Sequence, residues 1–219
     1  MTKETIQAIT EHYQKTFELT YEMWKERNRL FVYLVLAAGI GLLLLSLPEI
    51  NIVLAAATIK WLSLNDQSVI DALRNYFPFD VLPSMALIII FYLMQRLYST
   101  NLSVLRNYLY LGSVEDEIRA ELKLTPKKVS FTREGDFYWG RRSLAQNISK
   151  WLYVIIIFIA LMPFVALKTI GDFVSQNYIV GAIDVIVSIL TFVYLWEYAA
   201  SAQKLDVAEV PAKKSAKGT

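Results

Sequence analysis

Four long apolar runs alternate with polar segments along the chain. Each run approaches the roughly 20 apolar residues that a helix needs to cross about 30 Å of hydrocarbon. The first, LFVYLVLAAGIGLLLLSL, contains no charged residue. The pattern predicts four transmembrane helices, TM1 to TM4, at residues 30–47, 79–97, 151–167 and 178–196.

The polar segment before TM1, residues 1–29, carries an apolar stripe at helical spacing. Its members recur every three or four residues and are Ile6, Ile9, Tyr13, Phe17, Tyr21 and Trp24. Such spacing is typical of an amphipathic helix. We predict a cytoplasmic helix whose stripe packs on the chain's own helices; the alternative is a surface for a partner or for the membrane.

Two outer loops are predicted, at 48–78 and at 168–177. The stretch IVLAAATIKWLSL, residues 52–64, is apolar but too short to span a bilayer, and QSVIDALRNYF, residues 67–77, has one apolar face. Both indicate interfacial helices on the outer leaflet. For residues 52–64 a re-entrant element lining a pore is the alternative.

The central segment, 98–150, is predicted to begin as a helix that leaves TM2, continues toward Leu124 and bends near Gly112. After it, the alternation of Val129, Phe131, Phe137 and Trp139 about the turn residues 134–136 predicts a small β-hairpin. Residues 197–219 are predicted to form a flexible cytoplasmic tail. The expected fold class is therefore an all-α integral membrane protein with cytoplasmic helical extensions and one hairpin between TM2 and TM3.

Lysine and arginine are distributed very unequally among the segments. Five precede TM1, ten lie from Arg96 to Lys150 and four lie in the tail, whereas the remaining segments hold three, which are Lys60, Arg74 and Lys168. Positive residues are enriched on the cytoplasmic side of membrane proteins. We therefore expect a bacterial inner-membrane (plasma-membrane) protein with both termini and the central segment in the cytoplasm.

Composition agrees with this class and excludes several kinds of chemistry. The 219 residues are 55% hydrophobic with a mean hydropathy of +0.38, and there is no cysteine. Thiolate metal sites, thiol nucleophiles and disulfides are thereby excluded. The formal charge of +2 is too small to indicate nucleic acid binding.

No catalytic pattern is present in the sequence. The single histidine, His12, has neither a cysteine nor a second histidine to complete a metal site or a triad. Phosphate-binding, dinucleotide-binding and metalloprotease motifs are also missing. We expect a protein that is not an enzyme and that has no cofactor and no metal.

One carboxylate, Asp184, interrupts TM4 at a position about 9 Å from the start of that span. Ionisable groups inside hydrocarbon are costly, so they are usually paired or functional. Lys168 ends TM3 on the same side, and its long stem can reach a carboxylate on the next helix. The functional alternative is an ion or proton site that includes Ser188 and Thr191, which lie one and two turns further along.

Two further sets of residues are candidates for helix packing and for contact with lipid headgroups, not for catalysis. Small residues in TM1 and TM4 permit close helix approach; they are Ala37, Ala38, Gly39, Gly41, Gly181 and Ala182. Basic residues before TM3 are candidates for contact with anionic lipid headgroups; they are Arg141, Arg142 and Lys150.

Three stretches carry a family resemblance: HYQKTFELTYEMWKERNRLFVYLVL entering TM1, NYLYLGSVEDEIRAEL after TM2 and VSFTREGDFYWGRR before TM3. They resemble an uncharacterised group of small four-span bacterial membrane proteins with no assigned activity. In architecture alone, the chain is similar to SLATT-type membrane effectors of bacterial defence systems. That likeness implies oligomerisation and membrane permeabilisation, with antiviral (phage) defence as the context.

These features lead to two expected functions. The first is a non-enzymatic, oligomerising membrane subunit that acts as a regulated pore or effector, or as a scaffold for a cytoplasmic protein partner. The alternative is a small transporter or channel with an ion or proton site at Asp184. The expected partners are the lipid bilayer, further copies of the chain and a cytoplasmic protein, but no nucleic acid.

Overall fold

A computed structural model describes residues 3–46, 49–63, 66–68, 81–123 and 144–207. These residues form five helices and no strand. The helices are α1 (Lys3–Ser46), α2 (Glu49–Trp61), α3 (Val81–Glu121), α4 (Leu144–Val174) and α5 (Tyr178–Val207).

Four of the described helices are long and apolar enough to cross a membrane. Their candidate spans are Glu4–Ser46, Val81–Glu121, Trp151–Val174 and Tyr178–Ser201. A helix satisfies all of its own backbone hydrogen bonds, which is the condition for crossing hydrocarbon. The predicted all-helical class and the four potential spans are thus confirmed, and they support a multi-pass membrane protein.

The helices extend well beyond the predicted spans. The N-terminal segment and TM1 form one continuous helix, α1, and α3 continues through Gly112 as far as Glu121. No turn separates the polar from the apolar part of either helix, because no proline or paired glycine interrupts the helical pattern there.

Two predicted segments differ from the structure. The flexible tail predicted at 197–219 is helical in its first part, because α5 continues to Val207. The outer loop predicted at 168–177 is mostly helical as well. Residues 168–174 continue α4, so only Ser175, Gln176 and Asn177 connect it to α5. The Asn177 N–H donates to the Asp172 carbonyl (3.1 Å) and the Gln176 N–H to the Phe173 carbonyl (3.3 Å), as in a Schellman motif. Gln176, with φ of 58°, takes the left-handed position that glycine usually occupies.

Several predictions concern residues outside the described part of the chain. The hairpin at Val129–Trp139 lies there, as do Arg141 and Arg142 and nearly all of the second interfacial helix, 67–77. The apolar stretch at 52–64 is helical through Trp61, within α2. Whether α2 is interfacial or re-entrant stays a prediction.

The described residues divide into two compact units. Unit 1 comprises Met1–Phe31, Gln95–Val154 and Leu195–Thr219; unit 2 comprises Val32–Met94 and Ile155–Tyr194.

In unit 1 the first part of α1 packs against the second part of α3. The Tyr13 hydroxyl donates to the buried Glu115 carboxylate (2.7 Å), and further along α1 the Arg27 guanidinium donates to the Asn101 side chain (3.3 Å). Because residue numbers rise along α1 while those of its partners fall along α3, the two helices are antiparallel.

The predicted stripe on α1 therefore packs on the chain's own helices in its first half. Ile6 and Ile9 line a small cavity together with Ile118 of α3. The second half differs, since Tyr21 and Trp24 are 47% and 38% exposed and stack on each other.

In unit 2 the core consists of apolar side chains from α1, α3 and α4. They are Leu34 and Ala38 of α1, Leu87, Ile90 and Met94 of α3, and Ile157, Leu161 and Phe164 of α4, none more than 1% exposed. Toward the turn between α4 and α5 the buried side chains become polar. The candidate site lies at this polar end.

Candidate functional site: a buried Asp–Lys–Asp cluster

The site begins with two residues one helical turn apart on α4. Side chains at i and i+4 lie on the same helix face, so Lys168 and Asp172 are neighbours. The Lys168 ammonium forms an ion pair with Asp172 Oδ1. Both residues are buried, with relative exposures of 4% and 7%.

The turn after α4 brings Asp184 of α5 to the same ammonium. Lys168 Nζ lies 2.9 Å from Asp184 Oδ2, within the reach that the sequence predicted for a lysine stem. We call Lys168, Asp172 and Asp184 the Asp–Lys–Asp cluster. One positive charge is held between two carboxylates.

A third helix also contributes to the site. Ser84, near the start of α3, donates from Oγ to Asp184 Oδ2 at 2.7 Å, and both side chains are buried. Asp184 Oδ2 thus accepts from a hydroxyl and from an ammonium. Hydrogen bonds from a charged donor to a carboxylate are about twice as strong as neutral ones, so the contact with Lys168 holds the Asp184 side chain firmly in place.

Close contact between α4 and α5 at the cluster depends on a glycine. A Cβ atom added at Gly181 would lie 3.1 Å from the Cβ of Asp172, closer than ordinary van der Waals contact. Of the small residues noted in TM4, Gly181 is buried at this contact and Ala182 is exposed. Gly181 therefore lets the backbone of α5 approach Asp172.

Ser188 and Thr191 share the buried face of α5 with Asp184, as their spacing of four and seven residues predicts. The Thr191 hydroxyl donates to the Val187 carbonyl (2.8 Å) and is satisfied within its own helix. Ser188 Oγ has no hydrogen-bond partner among the described residues, and neither has Asp172 Oδ2. Buried polar atoms without partners are uncommon in folded proteins.

Of the four intramembrane candidates, Asp184 and Lys168 are in direct contact, whereas Ser188 and Thr191 only line the same helix face. Sequence reasoning missed Asp172 and Ser84. The spacing of Lys168 and Asp172 was a usable signal, but it fell in a segment predicted to be a loop. Ser84 had no such signal, since it lies 100 residues from its partner Asp184.

The other predicted contacts have less structural support. Arg141 and Arg142 lie outside the described residues, and Lys150 is placed in α4 without a described side chain. The His12 ring forms a hydrogen bond with the Tyr110 hydroxyl (2.9 Å). In the part of the chain that the structure describes, no three His, Asp or Glu side chains are grouped so that they could hold a metal ion.

Comparison of the chain with protein-family models, with curated proteins and with solved structures finds no match. Function therefore has to be inferred from the cluster itself. Chemically, the cluster offers two carboxylates and one ammonium in a dry environment, an arrangement that can take up or release a cation.

Proposed function

We propose that the chain is a small transporter or channel of a bacterial inner membrane, with its ion or proton site at the Asp–Lys–Asp cluster. The supporting observation is that side chains of two helices, Ser84 of α3 and Lys168 of α4, converge on Asp184 of a third helix, α5, within unit 2. Sites for ions and protons in membrane proteins are commonly built in this way, from ionisable groups that face the interior of the helix bundle.

The surplus carboxylate argues against a purely structural role. A static pair needs one aspartate and one lysine, and even such a pair loses much of its Coulomb attraction to the cost of removing both charges from water. The second carboxylate adds a further desolvation cost without a second cation. A group that is costly to the fold and unnecessary for pairing is better explained by binding a mobile cation.

The topology that we propose has both termini and the central segment in the cytoplasm. Its support is the unequal distribution of lysine and arginine described above. In this orientation the turn between α4 and α5 faces outward, and Asp184, six residues after the start of α5, lies about 9 Å inward from it. The hairpin about residues 134–136 is part of the same proposal and would lie on the cytoplasmic side.

Proton flux in reconstituted vesicles tests the proposal. The full chain is placed in liposomes that contain a pH-sensitive dye, and a potassium gradient with valinomycin supplies the driving force. We expect wild-type vesicles to change internal pH faster than empty vesicles, and Asp184→Asn vesicles to match the empty ones. Glu115→Gln, which removes a buried carboxylate of unit 1, is the control and should retain the wild-type rate. Equal rates in wild-type, Asp184→Asn and empty vesicles would refute proton transport.

A second candidate is an oligomerising subunit that acts as a regulated effector or as a scaffold for a cytoplasmic protein. The observation that favours it is the exposure of Tyr21 and Trp24, which stack on each other on one face of α1 at 47% and 38%, in a segment too polar to lie in hydrocarbon. Such a surface is typical of a protein contact. The resemblance to SLATT-type effectors leads to the same candidate.

Membrane potential in cells distinguishes the effector from the scaffold. Dye fluorescence is recorded in cells that express the wild type or Asp184→Asn at matched levels, with and without phage challenge. Depolarisation only upon challenge would support a gated effector, and its loss in Asp184→Asn would make the cluster part of the pathway. No response in any condition would exclude such an effector under that trigger.

A further inference from the structure

We propose that the Asp–Lys–Asp cluster holds one exchangeable proton and that Asp172 carries it. The inference rests on the proposed function and makes it more specific: the cation that the site binds is H⁺. It follows from the charge balance of the cluster, from the unequal hydrogen bonding of its two carboxylates and from the position of Asp172.

The charge balance requires a proton or an equivalent cation. The side chains of Lys168, Asp172 and Asp184 are 4%, 9% and 2% exposed. With all three ionised, the cluster has a net charge of −1 in a region of low dielectric constant, where an uncompensated charge is very costly. In the described part of unit 2, no other charged side chain is buried. One proton brings the net charge to zero.

Hydrogen bonding distinguishes the two carboxylates. Asp184 Oδ2 accepts from both Lys168 and Ser84, so two donors compensate the charge of this carboxylate. Asp172 is contacted by Lys168 at Oδ1 only, and its Oδ2 has no partner among the described residues although the side chain is more than nine-tenths buried. The proton therefore belongs on Asp172 Oδ2.

The groups that face Asp172 identify the cation as a proton rather than a metal ion. They are Lys168 on its own helix and Gly181 and Asp184 on α5. Ser84 of α3 is neutral and donates to Asp184. The ammonium of Lys168 already lies between the two carboxylates and repels a second cation placed there. A proton on Oδ2 avoids that conflict, because it neutralises Asp172 itself.

Asp172 is also the member of the cluster nearest to water. It lies two residues before the end of α4, or about 3 Å along the axis, and the turn residues Ser175, Gln176 and Asn177 are all exposed. A hydronium ion at this turn loses a proton to Asp172 Oδ2 and becomes water, and a water molecule accepts the proton again when Asp172 releases it. Only an O–H bond forms and breaks, while Lys168 and Asp184 keep their charges.

Infrared difference spectroscopy on the full chain in liposomes tests the proposal. Spectra recorded at neutral and at alkaline pH should differ by the C=O band of one protonated carboxylic acid. The band should disappear in Asp172→Asn and also in Asp184→Asn, since either change leaves one carboxylate for one lysine. It should persist in Glu115→Gln, which removes another buried carboxylate.

Lengthening each side chain identifies the residue that carries the proton. Protonated aspartic and glutamic acids absorb at different frequencies, so Asp172→Glu should shift the band while Asp184→Glu leaves it in place. These variants keep the carboxyl group, which also guards against loss of the fold. A shift in Asp184→Glu instead would overturn the assignment to Asp172. Absence of the band in the wild type, or its loss in Glu115→Gln, would overturn the proposal. A band without proton flux would refute transport but leave the protonated Asp172 intact.

Discussion

Two glycines of α1, two residues apart, should respond in opposite ways to the same substitution. A Cβ atom added at Gly41 would lie 2.7 Å from Cε2 and 3.0 Å from Cζ of Phe164, a ring that is completely buried. A Cβ atom added at Gly39 would meet nothing within 4 Å. The pair therefore separates the effect of packing from that of helix propensity.

The magnitudes follow from these contacts. Alanine in a helix interior is more favourable than glycine by about 0.5–1 kcal/mol, and Gly39→Ala should stabilise the chain by that amount. Gly41→Ala gains the same helix propensity, but it forces the Phe164 ring to move, and overpacking of a filled core costs roughly 1–3 kcal/mol. We expect Gly41→Ala to be less stable than Gly39→Ala by about 1–3 kcal/mol.

Reversible unfolding in mixed micelles, followed by circular dichroism as dodecyl sulfate is titrated, measures both free energies of unfolding. A double-variant cycle with Phe164→Leu adds a second test, because a smaller side chain should relieve part of the Gly41→Ala cost. Equal stabilisation by both glycine substitutions would refute the inference that Phe164 packs directly against Gly41.

Three further predictions concern the cluster, unit 1 and the topology. Lys168→Met leaves the buried Asp184 carboxylate without a cation, and Asp172 as well whenever it has lost its proton, so it should destabilise by roughly 3–5 kcal/mol in the same unfolding assay, whereas adding both Asp172→Asn and Asp184→Asn to it should recover most of the loss. If the triple variant is as unstable as Lys168→Met alone, the result would contradict the description of Lys168 as the cation of a buried ion pair. Tyr13→Phe removes a donor to the buried Glu115 and should cost about 1.5–3 kcal/mol, with Tyr21→Phe on the exposed face as a control of near-zero effect. Reporter fusions to each end should be active only inside the cell, and an externally active C-terminal fusion would disprove the proposed topology.

The four potential spans could be predicted from the sequence because their physical cause is local. Transfer of a helix into hydrocarbon depends on the apolarity of its own residues, and its backbone needs no distant partner. The stripe on α1 could be predicted for the same reason, although only its first half, from Ile6 to Tyr13, contacts the chain's own helices. Exposure of Tyr21 and Trp24 depends on where α3 lies, and no local pattern contains that information.

The end of α4 shows the limit of local patterns. Lys168 and Asp172 have the polarity of loop residues, and Gln176 lacks the usual glycine signal of a helix end. The pairing of Lys168 with Asp172, four residues apart, is a local signal for a helix, but the contacts with α5 are not: Asp184 reaches Lys168, and Gly181 lets the backbone of α5 approach Asp172. The last turn of α4 is helical where the composition predicted a loop.

The sequence by itself thus determined the membrane class, the number of potential spans and the pair Asp184 and Lys168, since a lysine stem is long enough to cross a short connection. Only the tertiary structure shows that this pair belongs to a larger cluster. Asp172 is part of the cluster because α4 extends past Lys168 to Val174. Ser84 contacts it because the rotation of α3 about its own axis brings Ser84 to Asp184, 100 residues away in the sequence. Such rotations are set by side-chain packing between helices, which involves residues distant along the chain and therefore leaves no periodic signal in any one segment.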